Sequence, residues 1–190
     1  MKPIDEASVQ QVLGGDTEAF RTLVERHSRA VFRLAYRMTG NEQEAEDLVQ
    51  ETFLRAYTRL ELFELQSNFG TWLYRIATNL ALDRIRSKRR RGERQMPVMP
   101  DNRDFADSIP AGDPLQDRLV YSGEMRERVT KALSLLTVQE RAAFVLRHFE
   151  ERPVKEVGQI LGLRENATKQ SILRAIKKIK RALRPAMASR

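Results

Sequence analysis

Three clusters of side chains are candidates for chemistry in this 190-residue chain, and all three are charged. Over residues 166–190 there are eight basic residues and no acid. Within that run Asn166, Lys169, Gln170, Arg174 and Lys177 fall on one side of a helix, while Thr168, Ile172, Ala175, Ile176, Ile179 and Leu183 fall on the other. Lys and Arg can donate to guanine O6 and N7, and Gln can pair with adenine N6 and N7. Lys177, Lys178, Lys180 and Arg181 lie further along and suit phosphates, which add affinity without sequence information. A second basic run over residues 84–94 holds seven Lys and Arg against Glu93 alone. The third cluster is acidic: Glu42, Glu44, Glu46, Asp47 and Glu51 occur within residues 41–51 with no basic neighbour. Carboxylates one or two apart on a helix diverge, so a nuclease-type metal site built from Glu42, Glu44, Glu46 and Asp47 is disfavoured. For either basic run alone, a solvated helix face is the competing reading.

Composition narrows the classes. The formal charge is +8, which points to an anionic partner, nucleic acid first. There is no Cys, which excludes disulfides, Cys-ligated metals and thiol catalysis. The two His residues, His27 and His148, are far apart in sequence, so no His-rich metal site is expected, and no cofactor is implied. No apolar run approaches the roughly 20 residues of a membrane span, and the start of the chain lacks a signal-peptide core. A cytoplasmic protein without membrane insertion is the expectation.

The elements that must position these residues are helices throughout. Phe20, Leu23, Val24, His27, Val31, Leu34, Ala35 and Met38 form one helical stripe, with Asp16 or Thr17 as its cap and Gly40 after its end. Asn41 and Glu44 make a capping-box pattern before the stripe Ala45, Leu48, Val49, Thr52, Phe53, Ala56 and Leu60. A third helix begins near Gly70 and turns Trp72, Leu73, Ile76, Ala77, Leu80 and Ile85 inward. Residues 91–116 hold Pro97, Pro100, Pro110 and Pro114 and read as a linker. Beyond it, residues 129–136 close one helix, and Thr137 with Glu140 caps another that runs through Phe149. Pro153 suits the first turn of a short helix, Gly158 is small where a neighbour must approach, Gly162 breaks the helix, and Leu163 plugs the core. A short helix, a Gly turn and a longer basic helix make a helix-turn-helix, whose second helix enters the major groove.

Three runs carry a resemblance: AEDLVQETFLRAY at 45–57, FGTWLYRIATN at 69–79 with ALDR at 81–84, and the helix-turn-helix preceded by LTVQER at 136–141. In this order the sequence resembles a bacterial RNA polymerase sigma factor of the extracytoplasmic-function group. The resemblance implies an all-α fold of two small helical domains. Residues 1–90 would be the N-terminal domain, 91–123 a flexible linker, and 124–190 the C-terminal domain with the helix-turn-helix. It implies a non-enzymatic subunit that binds core RNA polymerase, directs it to a promoter class and assists melting.

By that resemblance Asp47, Gln50, Glu51, Phe53, Leu54 and Tyr57 would dock on core polymerase, although Phe53 fits a core position equally well. The loop from Phe63 to Phe69, with Ser67 in it, would receive a flipped base of the melted −10 strand beside Asn79, while Arg84 and Lys88 hold phosphates. Trp72 reads as core before it reads as a stacking platform. Glu64, Leu65 and Gln66 stand where many members have an Arg-Gly-acid turn. Asn166, Lys169, Gln170, Leu173, Arg174 and Lys177 would read the −35 element as duplex, with Leu173 either on a thymine methyl or on the core. Thr168 stands where an apolar β-branched residue is usual, and Ser171 where Arg is common. Asp101, Asp104, Asp107, Asp113 and Asp117 of the linker would mimic nucleic acid near the polymerase or simply belong to a solvated tether. An anti-sigma partner is implied as well. The alternative from the residues alone is a stand-alone helix-turn-helix regulator, which leaves the tryptophan-containing run unexplained.

Overall fold

In the computed structural model, residues 3–64, 68–92 and 132–183 are described. The linker and its acidic residues lie outside them, as do the helix residues expected over 129–131. Every regular element among the described residues is helical.

Helix α1 (Pro3–Leu13) lies on α2 (Ala19–Thr39). Asp5 is buried there and accepts from Arg26 Nη1 at 2.6 Å, with His27 Nε2 3.3 Å from its other oxygen. The residue at the N-cap of α2 is Glu18, which makes no side-chain cap bond. Asp16 acts two residues earlier than a cap would, its Oδ1 accepting from the Glu18 amide at 3.1 Å. Gly40 ends α2 at φ 72°, a left-handed conformation that costs glycine nothing, and its amide donates to Tyr36 O. Helix α3 (Glu42–Thr58) is capped by Asn41, whose side chain accepts from the Glu44 amide at 2.9 Å. The Glu44 carboxylate is drawn across to Lys88. A 3₁₀ turn (Leu60–Leu62) follows, and Leu60 is buried on that turn rather than on α3. Helix α4 (Phe69–Arg90) starts one residue before Gly70, with Asn68 capping the Thr71 amide at 3.1 Å. Leu23, Leu34, Met38, Leu48, Phe69, Leu73 and Tyr74 are fully buried where α2, α3 and α4 meet.

In the C-terminal part, α5 (Val138–Phe144) opens on a complete capping box formed by Thr137 and Glu140. Instead of continuing as α-helix to Phe149, the chain widens into a π-helical turn (Val145–Phe149), where the Glu150 amide reaches back to Val145 O at 3.0 Å. Glu151 then takes φ 53°, an uncommon conformation for a residue with a Cβ. Pro153 stands at the N-cap of α6 (Val154–Leu161), just outside the helix rather than in its first turn. Gly162, at φ 65°, and Leu163 join α6 to α7 (Glu165–Leu183).

The two parts pack on each other. Helix α6 lies along α4, α5 also touches α4, and the π turn meets α2. Leu146, Val157 and Ile160 belong to the same buried cluster as Leu73, Ala77 and Ile85. Burying side chains of this size contributes about 1.5–3 kcal/mol each. The C-terminal helices are therefore held on the N-terminal ones by continuous apolar packing.

Candidate nucleic-acid and partner interfaces

The helix-turn-helix is built around Gly158. A Cβ placed there would sit 2.9 Å from Leu163 O and 3.0 Å from Thr168 Oγ1, so only glycine allows the turn and α7 to come this close. The Leu163 amide closes the turn on Gly158 O at 2.9 Å. Thr168 is fully buried, yet its hydroxyl donates to Arg164 O at 3.1 Å, so the polar atom is satisfied within its own helix. Ile172 and Ala175 continue the buried side.

The opposite side of α7 is open. Asn166, Lys169, Gln170, Leu173, Arg174 and Lys177 are all exposed, and Leu173, at 49% exposure, is not part of the core. Lys169 pairs with Glu165 one turn back at 2.5 Å. That ammonium holds the Glu165 carboxyl below its ordinary range. Lys178 differs from its neighbours: it turns toward α5 and meets Glu140 Oε2 at 2.6 Å. Burial alone would raise the Glu140 carboxyl, but the bonds from Lys178 and from Thr137 outweigh it and hold it low. Lys178 thus ties α7 to α5.

On α3, Asp47, Gln50, Leu54 and Tyr57 are spaced three, four and three apart and share one exposed face. Leu54 is 64% exposed and Tyr57 42%. Glu51 is half-buried beside them and pairs with Arg55 at 2.6 Å. Phe53 points the other way: it is buried, with its ring 6.3 Å from that of Phe20 in an edge-on contact. Sequence reasoning missed Leu62, which is 76% exposed on the 3₁₀ turn that follows α3. A lone Leu outside any helical period gave no signal.

The residues that follow α3 and begin α4 turn their aromatic rings inward. Phe63 and Phe69 are buried against each other, their rings 5.6 Å apart and edge-on. Trp72 packs at 5.2 Å from Phe63 and 5.7 Å from Phe69, and His27 at 5.4 Å from Phe69. These rings clamp the two ends of the loop. Ser67, Leu65 and Gln66 lie outside the described residues, while Asn79 is exposed on α4. Arg84 donates to Glu44 O at 3.0 Å and lies 3.6 Å from Asp47, and Lys88 is paired with Glu44. The acidic start of α3 therefore holds these two cations by local charge attraction. Arg86, Arg89 and Arg90 on the same helix are exposed. Arg89 also donates to Leu136 O at 3.4 Å.

A polar cluster lies between the N- and C-terminal parts. Glu150 accepts from Arg37 of α2 through Oε1 and from the Tyr74 hydroxyl of α4 through Oε2, the latter at 2.8 Å. Arg152 stacks over the Tyr74 ring at 4.4 Å and donates to Glu156, which also accepts from Thr71 at 2.7 Å. Burial and the Glu150 charge push the Tyr74 hydroxyl well above the usual tyrosine range. Burial lowers the Arg37 guanidinium, although Glu150 opposes this. Nearby, Arg141 is buried and donates to Met38 O at 3.3 Å and Leu133 O at 3.4 Å. Burial and the neighbouring Arg89 lower it to about 10. Among the described residues no group of acids and histidines is placed to hold a metal, and no helix is long and apolar enough to cross a membrane.

Residues 23–91 match the family described as Sigma-70 region 2, and residues 126–179 match Sigma-70, region 4. The chain is 34% identical to the ECF RNA polymerase sigma factor SigW of Bacillus subtilis (strain 168), over 97% of this chain and 99% of that one. It is 35% identical to the ECF RNA polymerase sigma factor SigE of Mycolicibacterium smegmatis, over 92% of this chain and 67% of that one. Among solved structures it resembles CnrH bound to the cytosolic domain of CnrY. That match has a TM-score of 0.68 and 25% identity, and covers 96% of this chain and 98% of the other.

Proposed function

The chain belongs to the extracytoplasmic-function RNA polymerase sigma factors, and from that premise we propose how its surfaces divide the work of promoter-specific initiation. It is a non-enzymatic subunit: it binds core polymerase and directs it to a promoter class, while the chemistry of RNA synthesis stays with the polymerase. The observation that carries this is the joint presence, in order, of the two sigma regions in a chain that aligns with SigW from end to end.

Residues 1–90 form the part that binds core polymerase and the −10 element, 91–123 the linker, and 124–190 the part that binds the −35 element. The exposed α3 face (Asp47, Gln50, Leu54, Tyr57) with Glu51 docks on the polymerase, its carboxylates meeting basic groups and its apolar side chains entering partner pockets. Phe53 supports that face from beneath. On α7, Lys169, Gln170 and Arg174 meet base edges, Leu173 meets a thymine methyl, and Asn166 and Lys177 flank them on the duplex. Phe63 and Phe69 hold the ends of the base-capturing loop that contains Ser67, with Asn79 beside it. Arg84 and Lys88 reach DNA phosphates after exchanging Glu44 and Asp47 for them. A protein regulator of the anti-sigma kind is a further partner. The solved relative bound to the cytosolic domain of a second protein supports this.

Gel filtration with core polymerase tests the proposal against a stand-alone regulator. The chain is expected to co-elute with core polymerase stripped of its own specificity subunit. Tight operator binding by a free dimer, with no co-elution, would overturn it.

A further inference from the structure

Lys178 differs from the other basic residues of α7 in where its charge goes. Lys169, Arg174, Lys177, Lys180 and Arg181 are exposed. The Lys178 ammonium instead meets Glu140 Oε2 at 2.6 Å, and the side chains of this pair are 42% and 9% exposed. The same Glu140 oxygen accepts from the Thr137 amide at 2.9 Å. One carboxylate oxygen therefore caps the start of α5 and holds α7 against it.

Helix α7 is anchored unequally along its length. Near its start, Thr168 lies against Gly158, and Ile172 belongs to the large buried cluster. Further along, the buried contact shrinks to Ala175, in a small cluster with Leu133 and Leu136. Alanine offers a single methyl, so apolar packing resists a swing of this end weakly. From Thr168 to Lys178 is ten residues, or about 15 Å of helix. A shift of about 1 Å at Lys178 would tilt α7 by about 4° about Thr168. Lys169, Gln170, Leu173, Arg174 and Lys177 lie between these two points and would move with the tilt.

We propose that Glu140 and Lys178 are positioning residues for promoter reading: the strut between them fixes the tilt at which α7 presents its exposed side to the duplex, and Lys178 does not itself bind phosphate. This rests on the reading of α7 as the helix that binds the −35 element. Place in the sequence alone puts Lys178 among the phosphate contacts. Were it to leave for a phosphate, Glu140 would become a buried carboxylate without its counter-charge, which is strongly unfavourable. Nor can that carboxylate turn out to water in exchange, because the same oxygen holds the cap of α5.

Salt dependence separates a strut from a phosphate contact, because only the latter releases counterions. The probe is a promoter recovered from a random library with the wild-type chain, beside a copy whose upstream element is scrambled. Binding of each to holoenzyme is measured by fluorescence anisotropy over a salt series. K178M is expected to lose about tenfold on the recovered promoter, comparable to loss of one base contact, and nothing on the scrambled copy, with the log–log salt slope unchanged. E140Q keeps the cap, since Gln also serves at that position of a capping box. It is expected to show the same loss, and the double variant no more than either single one. K178R still reaches Glu140 and is expected to bind within about twofold of wild type. A slope lowered by about 1 in K178M, with equal loss on both promoters, would make Lys178 a phosphate contact and overturn the proposal. Unchanged affinity in E140Q, or additive losses in the double variant, would overturn it as well. Wild-type holoenzyme that binds the two promoters equally would overturn the −35 reading of α7 instead.

Discussion

At the scale of the residue, neighbours on one helix do opposite jobs, and Phe53 and Leu54 on α3 separate them cleanly. Phe53 is buried beside Phe20, whereas Leu54 is 64% exposed. Phe53→Ala should cost about 3–5 kcal/mol of stability, seen as a large drop in the urea midpoint. Leu54→Ala should leave that midpoint unchanged and weaken core polymerase binding about tenfold, as loss of one interface anchor does. Arg174 makes a second residue-scale case. If it meets a base, Arg174→Ala should cost about 1–3 kcal/mol on the cognate upstream duplex and relax specificity at one position. Equal loss on every duplex, measured by fluorescence anisotropy, would reduce it to a phosphate contact. The open side of α7 was legible from helical spacing, because amphipathic period is a local property, whereas the α3 residues came from the family resemblance, which grouped the buried Phe53 with the exposed ones. The burial of Phe63 and Phe69 was not legible, since Phe63 is covered by Trp72 of α4 and Phe69 by His27 of α2, each from an element other than its own.

At the scale of the element, the helix-turn-helix depends on one close approach. Gly158 lies 2.9 Å, from the position its Cβ would take, to the Leu163 carbonyl, and that neighbour is backbone that cannot swing aside. Gly158→Ala should cost about 1–3 kcal/mol by forcing α6 and the turn apart. It should weaken duplex binding at the same time, because the tilt of α7 is set there. Circular dichroism melts and anisotropy on one sample would check both. The glycines, the Thr137–Glu140 capping box and the Asn41 cap were legible because each is set by a few adjacent residues. The π-helical turn after Phe144 was not, because the same apolar spacing serves an α-helix and its widened form. Nor was the capture of Arg84 and Lys88 by α3, which depends on how two helices cross.

At the scale of the whole molecule, the charge of +8 and the exposed basic faces of α4 and α7 imply binding that exchanges counterions for phosphates. If about six phosphates are engaged in the holoenzyme complex, the log–log dependence of promoter affinity on salt should have a slope near −5. A flat titration would exclude that count. Two helical parts in order were legible from the proline-rich stretch between them. Their closure through Glu150 was not, for a contact between residues 37, 74 and 150 leaves no periodic trace in the sequence. The most direct measurement of the whole account is run-off transcription by core polymerase from a random-promoter library, with this chain as the sole specificity subunit. The account predicts transcripts that share two short motifs upstream of the start, present only when the chain is added. Transcription no different from core polymerase alone would contradict it.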